Sequence, residues 1–73
     1  MEFLLNGDAF GKNLTRLRKN RGLTRLKLAA MAEISVFDLI DMENGVRRRI
    51  PEEWTAKLCA VLETDLTTLL EGA

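Results

Sequence analysis

Apolar residues recur along this chain at the three-to-four-residue spacing of helices, in short runs separated by capping and turn residues, and no strand pattern competes. Phe10, Leu14 and Leu17 form one stripe, which predicts a first helix from a cap at Asp8 to Arg21, with Gly22 as the stop. Thr24 caps a short second helix that turns Leu28, Ala29 and Ala32 inward. Ser35 opens a third, which runs to Glu43 and stops at Asn44 and Gly45. Ser35 with Asp38 has the form of a capping box, and a carboxylate there suits the helix dipole. The short gap between the second and third helices forces a tight helix-turn-helix. Val46 to Ile50 reads as a loop, and Pro51 as the first position of a fourth helix that carries Glu52 and Glu53 in its first turn and Trp54, Leu58, Val61 and Leu62 inward. Asp65 caps a fifth, with Leu66, Leu69 and Leu70 as its apolar side.

The chain has 73 residues, the size of one domain, and 47% hydrophobic with 30% charged residues fits a compact fold rather than a disordered chain. No apolar run approaches the roughly 20 residues of a membrane helix. The start MEFLLNGD lacks the basic leader of a signal peptide, so no membrane association and a cytoplasmic location are expected. The chain has no histidine, which removes triads, Cys-His dyads and the common zinc ligand sets, and it has no tandem glycine loop to cradle a phosphate. Cys59 lies in the apolar run LCAVL and reads as a small core residue rather than a reactive thiol. No enzyme activity and no cofactor are expected. The net charge of zero hides a segregation. Lys12 to Lys27 carries cations and no acid, Glu33 to Glu43 acids and no base, and Arg47 to Arg49 is a basic triplet. That alternation gains meaning only if folding gathers the basic segments on one side.

The order of elements resembles the phage repressor and Cro type of helix-turn-helix domain, the xenobiotic-response-element-like family. The residues that carry the resemblance are FGKNLTRLRKNRGLT, then Leu28, Ala29, Ala32, Ile34, Ser35, Leu39, Met42, Glu43, Asn44 and Gly45, and finally KLCAVLETDLTTLLEG. It implies an all-α, five-helix repressor-like domain over residues 9–73, preceded by an extension at 1–8. It also implies a close approach of two helices at Ala29, a third helix plugged into the core by Ile34, Leu39 and Met42, and a pair between Arg18 and Glu43. Glu33 and Glu63 stand where the family usually has left-handed glycines, at a cost of about 1 kcal/mol each.

The same resemblance lays the third helix in the DNA major groove with Val36, Phe37, Ile40 and Asp41 toward base edges and Asp38 beside them. It gives phosphate contact to Thr24, Arg25 and Lys27 at the start of the second helix and to Asn44, Arg47, Arg48 and Arg49 beyond the third. Relatives commonly place polar or basic residues on the reading face, whereas this chain has apolar and acidic ones. At about 100° per residue, Phe37 points almost opposite Leu39, Met42 and Glu43, so it is outward unless the MEFLL segment covers it. Two functions remain open. In one, a transcriptional regulator, most simply a repressor, contacts thymine methyls with the apolar residues and cytosine N4 with an acid. In the other, a helix-turn-helix fold that has lost base readout docks a protein, or a second copy, through Val36, Phe37 and Ile40. Asp38 simply capping its own helix, and the arginine triplet as ordinary solvated loop, are the plainer alternatives. The fifth helix and MEFLL could supply a homodimer contact.

Overall fold

The computed structural model describes residues 1–73 and contains the five expected helices: α1 Gly7–Asn20, α2 Arg25–Ala32, α3 Val36–Glu43, α4 Glu52–Leu62 and α5 Leu66–Leu69. Two short strands, β1 Glu2–Leu4 and β2 Arg49–Pro51, join them. The apolar stripes converge on one core, in which Phe10, Leu14, Leu28, Leu39, Met42, Ile50, Leu58 and Leu69 are fully buried. Ala29, Ala32 and Ile34 are also buried, as the resemblance implies. Buried Thr55 belongs to no apolar stripe; its hydroxyl is satisfied by donating to the Glu52 carbonyl at 2.6 Å.

Local signals hold best at helix ends. Thr24, Ser35 and Asp65 each accept a backbone N–H with the side chain. Glu33 and Glu63 are left-handed at φ 56° and 52°, the two positions marked for it in the sequence. Gly45, at φ 76°, ends α3 in a Schellman motif, in which its N–H donates to Met42 and that of Val46 to Asp41.

Three local expectations are corrected. The cap of α1 is Asn6, whose side chain accepts the Ala9 N–H at 3.2 Å, so Asp8 lies inside the first turn. Ser35 accepts from Phe37 rather than from Asp38, and the Asp38 carboxylate is used elsewhere, so no capping box forms. The five-helix fold holds, but the segment read as loop from Val46 to Ile50 ends in β2, whose last residue, Pro51, is the cap of α4 rather than its first helical position, and β2 pairs antiparallel with β1, Phe3 opposite Ile50. A three-residue strand contributes one inward side chain, too few to show an alternation, and its partner lies far away in sequence. The residues set apart as an extension, 1–8, thus form an edge strand and the start of α1.

Gly11 brings α1 against the end of α3. A Cβ there would lie 2.6 Å from the carbonyl oxygens of both Met42 and Glu43, so no side chain fits. The far end of the chain is tied back by buried Asn13, whose amide donates to the carbonyls of Leu69 at 3.0 Å and Glu71 at 2.7 Å. No helix is long and apolar enough to cross a membrane.

Candidate nucleic-acid interface

The angle between α2 and α3 is pinned by charge at one end of the motif. Glu43, the last residue of α3, has a side chain only 1% exposed and is held from two sides. Arg18 of α1 donates Nε to one carboxylate oxygen at 2.6 Å and Nη2 to the other at 3.1 Å, a bidentate pair. A third Arg18 nitrogen donates to the Leu23 carbonyl at 2.8 Å. Arg25 of α2 donates Nε to Glu43 at 2.9 Å. Burial pushes the Glu43 carboxyl upward, but the hydrogen bonds and charges of Arg18 and Arg25 outweigh it and hold the group below its ordinary value. The pair implied by the resemblance is present, and Arg25 adds a link that places the start of α2 against the end of α3.

The opposite side of α3 is bare. Phe37 is 76% exposed and Asp41 is exposed beside it, while Ile40 is half-buried. MEFLL does not cover Phe37, because its residues pair with β2 instead. Val36 is half-buried and packs against the core, so only part of it is available to a ligand. Asp38 is not free: Arg47 Nη1 donates to its Oδ1 at 2.6 Å, and the Arg47 guanidinium lies 4.7 Å from the centroid of the Trp54 ring. The chain after Gly45 therefore doubles back along α3 to its first turn and is clamped there, between α3 and α4.

The basic residues assigned to phosphates fall into different states. Thr24 caps α2 and Lys27 is exposed in its first turn. Asn44 is exposed at the C-terminal cap of α3, its backbone N–H donating to the Ile40 carbonyl at 2.9 Å. Arg48 is exposed and its side chain is unpaired, with its carbonyl accepting the Leu5 N–H at 2.8 Å. Arg49, exposed in β2, reaches Glu2 at 3.4 Å. Sequence reasoning missed the Trp54 role, since aromatic spacing marked that residue only as core. It also missed Val46, which is 73% exposed directly after α3. Cys59 is half-buried against the core, and burial raises its thiol pKa, an environment that disfavours the reactive thiolate.

A buried three-helix pin behind a tight turn, with an exposed helix face in front, is the arrangement of a helix-turn-helix domain. The chain belongs to the helix-turn-helix domain family, whose model matches residues 9–71. Among solved structures it is similar to the clp gene regulator ClgR from Corynebacterium glutamicum, with 27% identity and a TM-score of 0.82 over 90% of this chain and 69% of that one. It is similar to SinR, a master regulator for biofilm formation solved in complex with DNA, with 26% identity and a TM-score of 0.82 over 85% of this chain and 98% of that one. A third is the restriction-modification controller protein C.AhdI from Aeromonas hydrophila, with 25% identity and a TM-score of 0.81 over 86% and 94% of the two chains. A chain of the SinR/SinI protein complex is also similar, with 26% identity and a TM-score of 0.82 over 85% of this chain and 60% of that one. No curated protein matches the sequence.

Proposed function

We propose that this chain is a DNA-binding transcriptional regulator, acting as a repressor by inserting α3 into the major groove. The observation that carries the reading is the bare outward face of α3, held by the Arg18, Glu43 and Arg25 pin in a domain that superposes on SinR, itself solved with DNA. Phe37 contacts a thymine methyl and Asp41 accepts from cytosine N4, with Ile40 and the exposed edge of Val36 alongside. Asp38 acts at one remove, by holding Arg47. The amide end of α2 with Thr24, Arg25 and Lys27 anchors one phosphate run, and Asn44 and Arg48 anchor another. Arg47 and Arg49 add positive potential near the duplex while fixing the loop. The protein works where its operator lies, in the cytoplasm, and carries out no chemistry of its own. Selection from a pool of random duplexes tests this: a common motif should be enriched, and Phe37→Ala should change that motif. Recovery of an unbiased pool overturns the reading.

One observation favours the second reading, a protein-docking module. The outward face of α3 bears no lysine or arginine, so it lacks the common bidentate contact to guanine, and it shows a large exposed aromatic instead. Under that reading Phe37→Ala abolishes capture of a protein partner and leaves duplex affinity unaltered.

A further inference from the structure

α1 carries a second charged surface that α3 and its flanks leave unused. The exposed residues of this helix are Asp8, Lys12, Arg16, Lys19 and Asn20, none of them apolar. At about 100° per residue, Lys12, Arg16 and Lys19 fall within about 60° of one another, opposite the inward stripe of Phe10, Leu14 and Leu17. No carboxylate comes within ion-pair distance of any of the three, and Arg16 donates only to the Asn13 Oδ1 of its own helix, at 3.4 Å. Asp8, one turn before Lys12, is turned toward the end of α3, where its Oδ1 would lie 2.6 Å from a Cβ at Gly45. The side of α1 that meets α3 is that of Gly11 and Arg18, about a third of a turn from the three cations. Phe37 stands on the far side of α3 from that contact. Folding therefore sets these cations on a different side of the molecule from the bare face of α3.

We propose that the Lys12, Arg16 and Lys19 face of α1 is a second DNA-binding surface, which takes the phosphate strand of another duplex segment while α3 occupies the first, so that one chain bridges two segments. For its first duplex the inference rests on the proposed function. Three cations spread over about 10 Å of helix match a strand that offers a phosphate about every 3.4 Å of duplex axis. A phosphate run asks for charge alone, and this face has charge alone. It lacks the aromatic or aliphatic anchor around which a protein partner docks, and the apolar side with which a helix enters a membrane surface. No ion pair of the fold has to break when a phosphate arrives, because none of the three cations has an internal carboxylate partner. Contact with about three phosphates and with no base edge makes this second hold weak, strongly salt-dependent and indifferent to sequence.

The test mixes two populations of random-sequence duplex, one with a donor dye and one with an acceptor, with the whole chain at low ionic strength, and reads energy transfer between them. Anisotropy of a single labelled duplex is read alongside. Transfer should appear with the unmodified chain, and the affinity for the second duplex should fall with log salt at a slope of about −2.7, the share of three phosphates. A variant with Lys12→Gln, Arg16→Gln and Lys19→Gln together, all at exposed positions, should fold as before, keep its single-duplex affinity within about threefold at physiological salt and lose the transfer. Transfer that survives in this variant means that another surface, such as a contact between two DNA-bound copies, does the bridging, and overturns the proposal. Absence of transfer where anisotropy shows binding overturns it while the DNA reading stands, and absence of both overturns the two together. Polyglutamate that abolishes transfer at a lower charge concentration than unlabelled duplex overturns it in favour of an acidic protein segment.

Discussion

Arg47 donates to Asp38 while lying over the Trp54 ring, so its charge is engaged before any phosphate arrives. Asp38 and Arg47 are each about one-third exposed, at 33% and 34%, which limits the pair to a small share of the stability. Arg47→Ala should therefore lower the urea midpoint by the equivalent of about 1 kcal/mol, from the lost pair and the lost cation-π contact together. Arg48 has no such partner. Arg48→Ala should leave the midpoint unchanged and weaken duplex binding evenly across sequences. Equal stability loss in both variants would contradict the division of roles. The sequence presented these two arginines as equivalent members of one triplet, because what separates them is a carboxylate on α3 and a ring on α4, neither adjacent in the chain. Gly11 was equally illegible: a helix-interior glycine looks like a weak residue until the carbonyls of Met42 and Glu43 are placed beside it. Gly11→Ala should destabilise by about 3 kcal/mol in equilibrium unfolding, against the modest gain that alanine brings inside an open helix.

The helices themselves were legible because their information is local. Caps at Thr24, Ser35 and Asp65, stops at Gly22 and Gly45, and apolar spacing within each segment all act over a few residues. The strands were not, because Phe3 and Ile50 acquire a shared role only when distant segments meet. Between elements, Glu43 sets the geometry. Its ordinary carboxyl pKa of 4.5 applies in the unfolded chain, and the folded value lies below it. The stability that Glu43 contributes is therefore complete above about pH 4.5 and is lost as pH falls from there through the folded value. Glu43→Gln should cost about 3 kcal/mol at neutral pH by leaving buried Arg18 uncompensated, with the difference from the parent narrowing on acidification. A constant difference down to strongly acid pH would show that the charge is not what pins α1 to α3. At the turn between α2 and α3, Glu33 is left-handed and makes no side-chain hydrogen bond or ion pair, so Glu33→Gly should stabilise by about 1 kcal/mol and raise Tm by several degrees. A lowered Tm would mean that the αL conformation carries no strain.

Taken as a whole molecule, the chain has no net charge, and part of its positive charge is committed to ion pairs within the fold. Arg18 is buried, Arg21 pairs with Glu63 and Arg25 partly with Glu43, whereas Lys12, Lys19, Lys27, Lys57 and Arg48 make no ion pair, and of these Lys27 and Arg48 lie on the segments next to α3 in the chain. Family membership was readable in the joint spacing of the motif, from Phe10 to Gly72. The reading face was readable only as positions, since exposure of Phe37 and engagement of Asp38 depend on where β1 and the arginine loop settle. Under the proposed function, binding to DNA rests on a general electrostatic attraction supplied by the flanks and a sequence preference supplied by α3. The attraction is measurable before any operator is known. Fluorescence anisotropy of a labelled random-sequence duplex, titrated with the chain over a salt series from low ionic strength upward, isolates it. Log affinity should fall linearly with log salt, with a slope of about −0.9 for each phosphate neutralised, and Arg48→Ala should make that slope shallower by about 1. An absence of salt-dependent association at low ionic strength would contradict DNA binding and leave Phe37 as the anchor of a protein contact.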